Sequence, residues 1–142
     1  MTIARVMQNR QVEITTCDAN MRVGDACAIL AEQRIGALPV LDNGTVAGIF
    51  SERDLIYKLN ELGPAVLDHK VSDIMTAPPV TVEPETEALA ALSLMTRRRI
   101  RHLPVMHDGQ MVGFVSIGDL VKYRIDKIQS EAEAMRVYIQ TA

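Results

Sequence analysis

The sequence predicts an α+β fold built from two like halves, and three observations predict it. The stretch from Arg34 to Leu55 returns from Arg99 to Leu120 at a constant spacing of 65 residues (Pro104 minus Pro39), without a gap. Leu38-Pro39-Val40 answers Leu103-Pro104-Val105, Gly44 and Gly48 answer Gly109 and Gly113, and Ser51, Asp54 and Leu55 answer Ser116, Asp119 and Leu120. Within each copy the patterning runs strand, helix, strand, turn, strand, helix. The chain has 142 residues, 48% of them hydrophobic, which is the size of one domain with ample material for a core. Repeats of this length rarely bury their apolar faces alone, so the halves are expected to pack about a pseudo-twofold axis and share that core.

Each copy carries a lead-in of its own, Ile3-Ala4-Arg5-Val6-Met7 and Val71-Ser72-Asp73-Ile74-Met75, and then an extended stretch, Val12 to Cys17 and Val80 to Val82. The first helix follows: Val23, Ala26, Cys27 and Leu30 recur at steps of three and four, and Ala88, Ala91, Leu92 and Met95 take the same places in the second copy. Ile35 to Leu41 and Ile100 to Met106 are short and rich in branched residues, and polar turns with Gly44 and Gly109 lead to strands ending at Phe50 and Val115. Pro39 and Pro104 lack a ladder donor and point to a sheet edge or a bulge. Second helices begin at Ser51 and Ser116. Gly63-Pro64 ends the first of these, and Pro78-Pro79 stops the segment after Met75.

Beyond the second copy Val121, Ile125, Ile128, Ala132, Met135 and Ile139 alternate steps of four and three, an a/d seam. Such a helix spans roughly 30 Å at ~1.5 Å per residue and needs a surface to lie against, either its own domain or another subunit. The boundaries are therefore 3–62 for the first unit, 63–70 for a linker, 71–122 for the second unit and 123–142 for a C-terminal amphipathic helix.

Charge and composition exclude several functions. A net charge of −3 and a pI near 5.6 do not suit a protein that coats nucleic acid. Cys17 and Cys27 face Val82 and Leu92 in the alignment, so they read as apolar fillers and unpaired thiols in a reducing compartment, with a redox role as the alternative. Met1 to Arg10 lacks the apolar stretch of a secretory signal, and Ala88 to Met95 is too short to span a bilayer, so a cytoplasmic protein without a membrane partner is expected. Catalysis lacks its parts: there is no Gly-x-Ser-x-Gly elbow or Cys-x-x-Cys pair, and His69, His102 and His107 show no metal-ligand spacing.

Ser51-x-x-Asp54 and Ser116-x-x-Asp119 admit two readings. In one, serine caps a helix and the carboxylate three residues on bonds back to the cap amide. In the other, the free amides at the helix start form an anion site. A carboxylate would repel a phosphate, but it accepts two hydrogen bonds at once and so matches the 2′ and 3′ hydroxyls of a ribose. Arg97, Arg98, Arg99, Arg101 and His102 form a basic run beside the second Leu-Pro-Val. Arg97 and Arg98 read as a solvated helix end, whereas Arg101 and His102 align with Gly36 and Ala37 and make the two copies unequal. Arg53, aligned with Gly118, is either a phosphate contact or a surface salt bridge.

Doubled in register, Leu-Pro-Val before a Gly turn, Gly-hydrophobic-hydrophobic-Ser-x-x-Asp after it, and Asp-Ile-Met-Thr at Asp73 to Thr76 resemble a tandem pair of CBS domains, the regulatory modules named after cystathionine β-synthase. The resemblance runs from Ile3 to Leu120. It implies β-α-β-β-α units paired within one chain, often assembled into flat discs of four units, that bind adenosine-containing ligands such as AMP, ADP, ATP, NAD or S-adenosylmethionine and are not enzymes. It assigns the ribose to Asp54 and Asp119 and phosphate to Ser51 and Ser116; the basic residues Arg101, His102 and Arg53 are the further candidate phosphate contacts, Arg53 with the salt bridge as its alternative. The opening strand of the opposite copy completes each site. Ser116 and Asp119 would work with Thr15, Ile35, Gly36 and Arg101, and Ser51 and Asp54 with Val80, Ile100 and Arg101. Ile35 and Ile100 would sandwich the purine in a chain with only 4% aromatic residues. The Asp119 site is the first choice, because Gly36 leaves room there.

The expected function is thus a sensor that binds an adenine nucleotide (AMP, ATP or NAD), needs no metal, forms a homodimer, and regulates a protein in trans through the C-terminal helix. The alternatives are a dimerising adaptor with empty clefts, or a weak nucleic-acid binder using Arg97 to His102.

Overall fold

The computed structural model describes residues 1–8 and 13–141. Helix α1 (Ile3–Met7) is followed by strand β1 (Cys17–Asp18), helix α2 (Val23–Gln33), strands β2 (Ala37–Asp42) and β3 (Thr45–Ser51), and helix α3 (Glu52–Leu62). A 3-10 turn (Pro64–Asp68) and helix α4 (Val71–Ile74) lead to α5 (Ala88–Arg98), β4 (His102–His107), β5 (Gln110–Ser116) and the long α6 (Ile117–Thr141). The α+β architecture and its duplication are as expected.

The hairpins obey turn chemistry. Asn43 and Gly44 have φ of 52° and 81°, and Asp108 and Gly109 have 50° and 76°, the double left-handed pair that a two-residue hairpin loop requires. Each hairpin carries a bulge one residue past its Pro-Val, between Val40 and Leu41 and between Val105 and Met106. The opening strands are shorter than expected, and Val12 lies outside the described residues. The first is the two-residue β1, paired parallel to β2, and the second is a single bridge from Val82 to Val105. Proline explains the truncation. The Pro104 carbonyl accepts from the Val82 N–H at 3.0 Å, so its nitrogen faces the opening strand with no hydrogen to offer, and pairing stops there.

The shared core does not form; each unit has its own. Cys17, Val23, Ala26, Leu30, Leu38, Val40 and Phe50 fill the first, and Val82, Ala88, Ala91, Met95, Leu103, Val105, Val115 and Leu120 the second. What joins the units is an exchange of lead-ins, contrary to the expectation that each copy keeps its own. Ile3 and Val6 of α1 are buried in the second core, and Val71 and Ile74 of α4 in the first. Matching backbone bonds anchor the two: Ile3 N–H to Thr86 O at 2.8 Å, and Val71 N–H to Met21 O at 2.8 Å. The expected linker 63–70 is likewise structural, since Val66 of the 3-10 turn is fully buried in the first core. The C-terminal helix is continuous with the second helix of the second unit from Ile117, and Ala142 lies outside the described residues.

Candidate functional site

Two cavities lie where the units meet. Both start from a capped helix. At α3 the Asp54 N–H bonds to Ser51 Oγ at 3.3 Å, and Asp54 Oδ2 accepts the Ser51 N–H at 2.8 Å and its hydroxyl at 3.0 Å. At α6 the Asp119 N–H bonds to Ser116 Oγ at 3.1 Å and Asp119 Oδ2 accepts the Ser116 N–H at 2.8 Å. The capping reading therefore holds for both motifs. It does not close the cavities, because all four residues also line them and a carboxylate has about four lone-pair positions.

The Asp119 cavity, about 440 Å³, is lined by Ser116, Asp119, His102 and Phe114 of the second unit and by Glu13, Thr15, Arg34, Ile35, Gly36 and Ala37 of the first. The Asp54 cavity, about 350 Å³, is lined by Ser51, Arg53, Asp54 and Tyr57 of the first unit and by Val80, Arg98, Arg99, Ile100, Arg101 and His102 of the second, with Thr76 and Gly36. Both lie in the range of small-molecule sites. The left-handed C-caps Arg34 and Arg99, each with φ of 54°, turn the chain out of α2 and α5 so that Ile35-Gly36 and Ile100-Arg101 enter the cavities.

Most of the expected site residues fall together as paired above. Three details differ. Arg101 lines the Asp54 cavity and not the Asp119 one; its guanidinium lies 3.5 Å from Glu52 Oε1 of the other unit. Arg98, expected as a solvated helix end, lines the Asp54 cavity, and Arg99 joins it. Gly36 lines both cavities, and a Cβ there would stand 3.2 Å from Glu52 Oε1 and 3.7 Å from His102 Cε1, so glycine allows this close approach of the units. Arg53 donates across the boundary to the Arg99 carbonyl at 3.1 Å, so its role includes holding the units together.

Sequence reasoning missed Thr76, whose hydroxyl donates to Asp54 Oδ1 at 2.8 Å, and Phe114, on which the His102 ring stacks at 5.4 Å between centroids. The Asp-Ile-Met-Thr motif did contain Thr76, and the exchange of lead-ins is what carries it to Asp54. His102 lines both cavities. Burial, then the neighbouring Arg101, lowers its pKa below 6.5, against the opposing pull of Asp119 and Glu52, so the ring is held neutral. Cys17 and Cys27 are free thiols that line neither cavity; burial, aided by Asp18, pushes Cys17 up to about 11, leaving it an inert filler. Among the described residues no group of three or more His, Cys, Asp or Glu could hold a metal ion, and no helix is long and apolar enough to cross a membrane.

Comparison with known proteins agrees with the geometry. The CBS domain family model matches residues 3–61 and 71–126. The chain is 40% identical over 129 residues to the mitochondrial CBS domain-containing protein CBSX3 of Arabidopsis thaliana, covering 87% of this chain and 63% of the relative's length. A protein with CBS domains from Burkholderia ambifaria superposes with a TM-score of 0.84 at 39% identity, over 89% of this chain and 95% of that one. CBSX2, solved in complex with AMP, superposes with a TM-score of 0.74 at 29% identity, over 88% and 96% of the two chains. With two family matches, two capped Ser-x-x-Asp helix starts and a cavity at each, the chain belongs to the CBS-domain family and carries a tandem pair of these domains.

Proposed function

We propose that the chain is a non-enzymatic regulatory module that holds an adenosine-containing ligand, of the AMP, ADP, ATP or NAD class, between its two units and passes the ligand's presence on to a protein partner. One observation carries the reading: each Ser-x-x-Asp helix start opens on a cavity whose far wall is supplied by the other unit. The AMP complex of CBSX2, at 29% identity, supports an adenosine ligand.

In this reading Asp54 and Asp119 accept the ribose hydroxyls, at Asp54 with the ligand displacing the Thr76 hydroxyl from Oδ1, and the α3 and α6 amides with Ser51 and Ser116 meet phosphate. Ile35 and Ile100 flank the purine beside Thr15 and Val80. A ligand bridging the units stabilises one relative orientation in proportion to its differential affinity for the two arrangements. The arginines favour a small anion over nucleic acid: Arg98, Arg99 and Arg101 line a cavity with Asp54 instead of forming a flat basic stripe. The module works as a homodimer, a reading supported by the exposed seam of α6, where Ile125 and Ile128 are each 49% exposed.

The test is native mass spectrometry of freshly purified protein for carried-over nucleotide, followed by calorimetry. Asp119→Ala or Asp54→Ala should weaken ribonucleotide binding by at least tenfold at its own cavity, and Asp25→Ala, on the first turn of α2, should not. Equal effects from all three variants would remove the assignment.

A further inference from the structure

The two cavities are related by the 65-residue repeat, yet the charged side chains among the described residues that line them differ. The Asp54 cavity is lined by four arginines, Arg53, Arg98, Arg99 and Arg101. The repeat puts Gly118, Gln33, Arg34 and Gly36 at the corresponding places of the Asp119 cavity, so three of the four cations have no counterpart. Among the described residues, that cavity sets Arg34 against Glu13 and Asp119.

The four arginines are only partly neutralised where they stand, since Asp54 is the one carboxylate among the described residues that line the same cavity. Among the described residues only Arg101 of the four forms an ion pair, with Glu52 at 3.5 Å. Arg53 bonds to a backbone carbonyl, and neither Arg98 nor Arg99 has a carboxylate partner among the described residues. Four cations against the two carboxylates Asp54 and Glu52 leave an excess of positive charge that raises the local potential and favours a multiply charged anion. Guanidinium groups are the side chains suited to it, since each can fork onto two phosphate oxygens. A single phosphate cannot engage four forks at once, whereas a chain of two or three phosphates can. The ribose-matching carboxylate, the capped helix start and the apolar Ile100 and Val80 lie in the same cavity.

We propose that the Asp54 cleft is selective for an adenosine polyphosphate, ATP or ADP, over AMP and adenosine. The proposal rests on the adenosine reading above and adds the phosphate chain to it. Arg98 and Arg99 set the selectivity, with Arg101 sharing its charge between the ligand and Glu52. Arg53 orients from the α3 side through its bond to the Arg99 carbonyl.

The experiment is calorimetric titration with adenosine, AMP, ADP, ATP and inorganic triphosphate, on full-length protein carrying Asp119→Ala to silence the other cleft. In that background ATP should bind at least tenfold more tightly than AMP, and the advantage should shrink as salt rises. Adding Arg98→Ala with Arg99→Gly should erase the ATP advantage and leave adenosine affinity within about twofold. Glycine suits the left-handed φ at position 99, so the melting temperature serves as the folding control. Equal affinities for AMP and ATP, or an ATP advantage that survives the double variant, would overturn the proposal while the adenosine reading stands. Arginine-dependent binding of inorganic triphosphate without binding of any adenosine compound would overturn the adenosine reading and support the arginine assignment. Binding of none of the five probes would overturn both.

Discussion

His102 is the titratable residue shared by the two cavities, which also meet at Gly36 and Ala37. It lines both, stacks on Phe114, and lies within reach of Arg101, Glu52 and Asp119. Its pKa in the folded chain is below the ordinary 6.5, with burial and Arg101 as the causes. The unfolded chain therefore takes up the proton first as pH falls, and the stability this group contributes is complete above 6.5 and lost on descending through the lower folded value. Urea unfolding should show wild type losing more stability between pH 7.5 and pH 5 than His102→Gln does; parallel losses would remove His102 from the account. Bound phosphate would raise the same pKa, so ligand affinity should strengthen toward low pH by the same linkage. At this scale much was legible. Ser51, Asp54, Ser116 and Asp119 declared themselves by repetition, and local spacing correctly suggested their caps. Thr76 and Phe114 did not, because their partners are set by contacts across strands and between units that no local pattern encodes.

At the scale of elements, the exchanged lead-ins are the structural device of the chain. Each ends in a methionine seated on a glycine of a bulged hairpin: Met75 on Gly48 and Met7 on Gly113. At Gly48 an added Cβ would stand 2.7 Å from the Thr76 carbonyl oxygen, and that oxygen is held by the Ile49 N–H at 3.0 Å. Backbone tied into a bridge cannot step aside, so Gly48→Ala should cost about 1–3 kcal/mol in urea unfolding, the range of overpacked sites. Gly113→Ala should cost less, since the atom in its way is the thioether sulfur of Met7 on a flexible side chain. A Gly48→Ala variant as stable as wild type would contradict this packing. The sequence showed the lead-ins as a matched pair of segments, and the structure makes them short helices with Ile3, Val6, Val71 and Ile74 buried. Which core they enter is a matter of chain path: Ile3 and Val71 occupy equivalent pockets of opposite units.

At the scale of the molecule, α6 is the element with most still to bury. Of its 25 residues Leu120 alone is fully buried, and Val121, Ile125, Ile128, Met135 and Ile139 are 43–66% exposed along one seam. Packing against its own domain, one of the two expectations for this helix, is confined to its first turns, where Leu120 and Tyr123 reach the second core. The proposed homodimer would cover the rest. Ile125→Asp with Ile128→Asp should convert a dimer to a monomer in sedimentation velocity, raising the dissociation constant at least tenfold while leaving far-UV helicity of the body intact. A wild-type chain that sediments as a monomer at micromolar concentration would remove the seam from any role in association.

The repeat, its register, the helix caps, the hairpin turns and the α+β class were all written into the order of residues, because each depends on neighbours within a few positions or on periodicity along one element. The partition into two cores, the swap of lead-ins, the seating of Arg98 and Arg99 in the Asp54 cavity and the place of Thr76 at the Asp54 carboxylate emerged with the folded chain. Those features depend on which of two nearly identical surfaces a segment meets. Duplication makes the alternatives equal in local pattern, so chain connectivity and three-dimensional packing had to choose between them.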